Sequence, residues 1–111
     1  MHITTEIDGT TALITPHGEI DYDSLAALRA TAAGLPQAVT DVTWDLHDAR
    51  FMDVAGLHLL GDRRRQDRSP RRTAVTGLAP QPLRLLHLAA ELFPAMELAA
   101  RLPAPSPGRA A

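Results

Sequence analysis

A chain of 111 residues with a formal net charge of −2 and 45% hydrophobic residues fits one globular domain with a real core, and is too short for two lobes with a cleft between them. The small charge gives no global reason to expect nucleic acid or an acidic membrane as partner, and the lack of cysteine excludes disulfides, thiolate nucleophiles and cysteine metal sites. The first residues show no charged-then-apolar leader and no apolar run approaches the roughly twenty residues of a spanning helix, so a cytoplasmic protein with no membrane-spanning segment is expected.

Ile3, Thr5 and Ile7 alternate with polar residues, Asp8-Gly9 is a turn signal, and Ala12 to Thr15 supplies a second strand. The chain therefore opens as a β-hairpin. Pro16-His17-Gly18-Glu19-Ile20 is expected to end that strand, and Asp21 to cap a helix whose Leu25, Leu28, Ala32 and Leu35 share a face until Gly34 and Pro36 stop it. Val42, Trp44 and Leu46 then alternate as a third strand. Residues 45–61, DLHDARFMDVAGLHLLG, follow from it: a polar turn at Asp48-Ala49-Arg50, the pair Phe51-Met52, then Asp53 before a helix from Val54 to Gly61. Asp53 is placed to cap this helix, accepting a backbone N–H two or three residues on at the positive end of the helix dipole. Gly56 would let another group approach closely.

Val54, Leu57 and Leu60 are the apolar residues of that helix, which runs into an arginine-rich end. Ser69-Pro70 breaks the chain before a strand from Thr73 to Thr76, closed by Gly77. Pro80 and Pro82 begin a further helix in which Leu83, Leu86 and Ala90 line one face with Leu85, Leu88 and Leu92 beside it, predicting that it is well buried. Phe93-Pro94 ends it. Ala95 to Leu98 is expected as a short edge strand, although Met96 to Ala100 reads equally well as helix on propensity. Residues 1–102 form the predicted domain, and 103–111 have the composition of a disordered tail. The order implies an α/β fold: a hairpin, then alternating helices and strands, in a mixed sheet with later strands parallel and helices mainly on one face.

Chemistry finds little purchase here. Asp45, His47, Asp48, Asp53 and His58 lack the close, repeated spacing of zinc ligands and read as surface polar residues around a turn. No nucleophile elbow or glycine-rich phosphate cradle supports catalysis, and no cofactor is implied. Arg63, Arg64, Arg65, Arg68, Arg71 and Arg72 form the one strong charge run, but Asp62 and Asp67 interrupt it and it contains no aromatic residue for stacking. A solvated helix end explains it better than direct nucleic-acid binding.

Gly18-Glu19-Ile20-Asp21, Asp45-Leu46, and Phe51-Met52-Asp53-x-x-Gly56-Leu57, followed by a strand and by Pro82 leading into an apolar helix, together resemble the STAS domain of bacterial anti-sigma factor antagonists over about residues 3–98. The resemblance implies a protein–protein interaction module rather than an enzyme. Its partner would be an anti-sigma factor of the serine-kinase type, met by Glu19, Asp21, Asp53, Val54, Ala55, Gly56 and Leu57. In the family a serine or threonine directly after the Asp of this motif takes a phosphate that resets the switch. Here that position is Val54 and the next is Ala55, so phosphorylation there is chemically impossible. Val54 either faces the partner or packs inward. An exposed Val-Ala-Gly-Leu rim would favour contact. Ser24 places a hydroxyl near the Asp21 turn but is commonplace after a cap, and Ser69 is explained by loop composition. The family also implies two other roles, an accessory subunit of an ABC lipid transporter and a nucleotide-binding module. The hairpin edge leaves homodimerisation open.

Overall fold

The computed structural model describes residues 1–61 and 71–94. Alternating β-branched residues make the opening hairpin from β1 (His2–Asp8) and β2 (Thr11–His17), paired antiparallel from His2↔His17 to Asp8↔Thr11. Gly9, at φ +60°, takes the first position of the two-residue loop, which needs the left-handed conformation. β2 runs two residues further than the sequence predicts, through Pro16. The proline is tolerated because β2 pairs with the next strand only as far as Ile14, so its missing N–H breaks no bond on that side.

Helix α1 (Tyr22–Ala33) follows, then β3 (Asp41–Asp45), α2 (Val54–Gly61), β4 (Arg72–Thr76) and α3 (Pro80–Leu92). The sheet order is β1-β2-β3-β4, with β2, β3 and β4 mutually parallel. Ile14, Trp44 and Val75 lie in register across one face and are buried, as are Ala12, Val42 and Thr73 one pair along. On the other face Leu13, Thr43 and Ala74 are half-buried or exposed. The helices therefore cover one face, where Ile20, Leu28, Leu46, Met52, Leu60 and Leu86 complete the core.

Two expectations about helices are corrected. Leu86 and Ala89 of α3 are buried with Pro82, but Leu88 and Leu92 are exposed, because at 100° per residue this second leucine row turns away from the buried stripe. Arg71 is no solvated charge. Its Nε donates to the Val39 carbonyl at 2.9 Å, Nη1 to Ala32 at 3.1 Å, and Nη2 to Pro36 at 2.9 Å and Leu35 at 3.3 Å. The guanidinium fork thus adds bonds to carbonyls at the end of α1 and in the turn beyond it, those of Ala32 and Pro36 also accepting the Leu35 and Val39 N–H groups. Arg72 stays exposed, 3.9 Å from Asp41. The predicted strand at 95–98, the tail, Arg63, Arg64, Arg65, Arg68 and Ser69 lie outside the described residues.

Candidate functional site

Two loops meet where β2 and β3 end. The Gly18 N–H donates to the Asp48 carbonyl at 3.3 Å, the Ile20 N–H to Phe51 at 3.0 Å, and the Asp53 N–H to Ile20 at 3.1 Å. A short parallel bridge joins Ile20 to Met52. Gln81, in the first turn of α3, closes the other side of Met52: the Met52 N–H donates to its Oε1 at 2.9 Å, and its Nε2 donates to the Met52 carbonyl at 3.0 Å. Both polar groups of a fully buried residue are thereby satisfied, which fixes the backbone immediately before α2. Gln81 was not among the expected site residues. Its role is a pairing across twenty-nine positions that no local pattern reveals.

From that anchored backbone Asp53 enters α2 as its cap, accepting the Ala55 N–H on Oδ1 at 2.8 Å. Asp21 caps α1 reciprocally with Ser24: the Ser24 N–H donates to Asp21 Oδ1 and the Asp21 N–H to Ser24 Oγ, both at 3.0 Å. Ser24 Oγ also donates to the Asp21 carbonyl at 3.1 Å and is buried. A hydroxyl so enclosed is no substitute phosphoacceptor. Beside these caps Asp48 Oδ2 and His17 Nδ1 lie 2.6 Å apart, and His17 Nε2 meets Thr4 Oγ1 at 2.9 Å. The His17 hydrogen bond, helped by its charge and those of His47 and Arg50, holds the Asp48 carboxyl below the ordinary carboxylate range.

The surface these loops present is narrower than the sequence suggests. Val54 is 61% exposed, settling its orientation outward, and Glu19, next to the bridged Ile20, is exposed, with Asp21 and Asp53 half-buried. Ala55, Gly56 and Leu57, expected in the contact rim, are buried instead. Successive helical residues point about 100° apart, so when Val54 faces out the next three turn inward, Ala55 toward the groove beside α1. Gly56 serves this packing and not a visiting partner: a Cβ there would run into Met52 Cγ and Sδ, with Ile20 Cγ2 at 3.3 Å. Two aromatic residues outside the expected set take their place. Tyr22 is 80% and Phe51 44% exposed, and Tyr22 shares with Leu25, Arg29, Asp53, Val54, His58 and the largely buried Ala55 a shallow groove between α1 and α2. Large apolar side chains held in solvent mark a contact surface where they form a contiguous patch. Phe51 next to Met52, and Tyr22 between two aspartates, were signals available in the sequence.

A family model described as the STAS domain matches residues 2–100. Among solved structures, the anti-sigma factor antagonist SpoIIAA in its unphosphorylated form is 23% identical with a TM-score of 0.66, covering 80% of this chain and 81% of that chain. An anti-sigma factor antagonist from Mycobacterium paratuberculosis is 22% identical with a TM-score of 0.63 over 84% and 82%. The phosphorylated Bacillus cell fate determinant SpoIIAA is 24% identical with a TM-score of 0.61 over 98% and 96%. At these identities the likeness is one of fold. No curated protein matches the chain.

Proposed function

Since the chain belongs to the STAS domain family, we propose that it works as an anti-sigma factor antagonist, binding an anti-sigma factor of the serine-kinase type through the start of α2 and freeing a sigma factor. The observation that carries this reading is the exposure of Val54, Phe51 and Tyr22 around a backbone held rigidly by Ile20 and Gln81. Rigid presentation lowers the ordering cost of association, and aromatic anchors supply most of what a small interface gains. Glu19, exposed next to the bridged Ile20, would favour a partner with basic groups around an apolar pocket. The module acts by binding and not by catalysis.

Regulation differs from a phosphorylation switch. Val54 has no hydroxyl, and a dianion placed there would meet the Asp53 carboxylate and disrupt a desolvated contact. The antagonist therefore stays competent once made, and its level is set by synthesis and degradation. The test is a pull-down from host lysate with wild type and Val54→Asp as baits. A kinase-type anti-sigma factor recovered with wild type and reduced at least about tenfold with the variant supports the reading. Recovery of a transporter ATPase, or binding indifferent to Val54, overturns it.

A further inference from the structure

Among the described residues the sheet ends at β1, whose outer edge has no strand beside it. The two-residue hairpin loop makes Asp8↔Thr11 a hydrogen-bonded pair, and alternation along an antiparallel ladder then turns the N–H and C=O of Ile3, Thr5 and Ile7 away from β2. Most devices that blunt an edge are missing, and Glu6 and Asp8 are its only acidic residues. β1 is seven residues long, reads HITTEID with neither proline nor lysine, and pairs residue for residue with no bulge. Ile7 at its end is 49% exposed.

We propose that this edge docks a second copy of the chain, antiparallel about a two-fold axis through Thr5, joining the two sheets into one. The sequence of β1 is self-complementary about that residue. Thr5 faces Thr5, Ile3 faces Ile7 of the second copy, Thr4 faces Glu6 and His2 faces Asp8, the last three each occurring twice. Every outward N–H and C=O of Ile3, Thr5 and Ile7 finds a partner, exposed Ile7 is covered by Ile3, and an acid meets a base at both ends. Neighbouring registers are poorer. An axis at Glu6 opposes two carboxylates, and an axis at Thr4 carries Ile7 beyond the strand. The chain itself is the partner argued for, since its own strand brings apolar residues opposite each other and an acid opposite a base in one register.

Sedimentation equilibrium of the full chain over a range of concentrations tests this. Wild type is expected to approach twice its 12.0 kDa monomer mass as concentration rises. Thr5→Pro removes one outward N–H without touching the ladder to β2 and is expected to stay at monomer mass with an unchanged circular dichroism spectrum. Ile7→Lys, which keeps the backbone intact should the proline variant misfold, is expected to weaken dimerisation at least about tenfold. Because the chain has no cysteine, Thr5→Cys should form an oxidised dimer across the axis and Glu6→Cys should not. Wild type at monomer mass throughout, a dimer insensitive to both edge variants, or equal cross-linking of Thr5→Cys and Glu6→Cys overturns the proposal. A strand of another protein taking the edge would give the first of these.

Discussion

Gly56, Asp53 and Asp48 each owe their place to a distinct physical requirement, and each yields a prediction. Gly56→Ala must displace a Met52 side chain that is itself fully buried, so it is expected to lower stability by about 1–3 kcal/mol, seen as a reduced denaturant midpoint with unchanged slope. Asp53→Ala loses the bond to the Ala55 N–H and should cost about 1 kcal/mol, whereas Asp53→Asn, which keeps an acceptor, should cost little. For Asp48 the folded-state carboxyl is depressed by its His17 hydrogen bond. The stabilisation is present above the unfolded carboxyl value and is lost as pH falls through the folded one. His17→Asn should therefore move the Asp48 titration, followed by NMR, up toward the ordinary range. A titration unmoved by that change would assign the depression to another group.

At the level of elements, the two long-range side chains matter most. Gln81→Leu leaves the Met52 N–H and carbonyl buried without partners, and about 1–3 kcal/mol per orphaned group should appear as lost stability together with looser presentation of Val54. Hydrogen exchange at the Met52 amide would report both. Arg71→Lys keeps the charge but cannot spread over the carbonyls of Ala32, Val39, Leu35 and Pro36, so it is expected to behave nearly like Arg71→Ala. These contacts also show why some of the structure was readable in the sequence and some was not. The hairpin, both caps and the alternation in β3 are local, encoded by residues two to four apart, and they stand where the pattern puts them. Arg71 reads as one more arginine in a charged run, and Gln81 as an unremarkable helix-start residue. Each acts on backbone thirty or so positions away, which periodicity does not register. The proline at 16 misled for the related reason that its cost depends on which neighbour its nitrogen faces.

Over the whole molecule, one covered sheet face and four core-buried residues of α2 leave the start of that helix as one of the places where apolar side chains meet solvent, the exposed Leu88, Leu92 and Phe93 around the end of α3 being another. The motif located the α2 site in the sequence, but its composition was legible only in part. A run such as Val-Ala-Gly-Leu states which residues are apolar without stating which way each turns, and the helical step sends Val54 out and Ala55, Gly56 and Leu57 in. Tyr22 joined Val54 in the groove because the Ile20–Met52 bridge brings the starts of α1 and α2 together, and Phe51 lies exposed next to Met52 in the chain. On the proposed reading, an antagonist built this way would engage its partner through an apolar residue at the start of α2.

The central claim is that Val54 makes this binding constitutive. It is tested most directly by incubating the recovered kinase-type partner and labelled ATP with wild type and with Val54→Ser. Label entering the serine variant and releasing it from the partner, while wild type stays unlabelled and bound, is the predicted result. Label entering wild type at any residue, with release of the partner, would contradict the account.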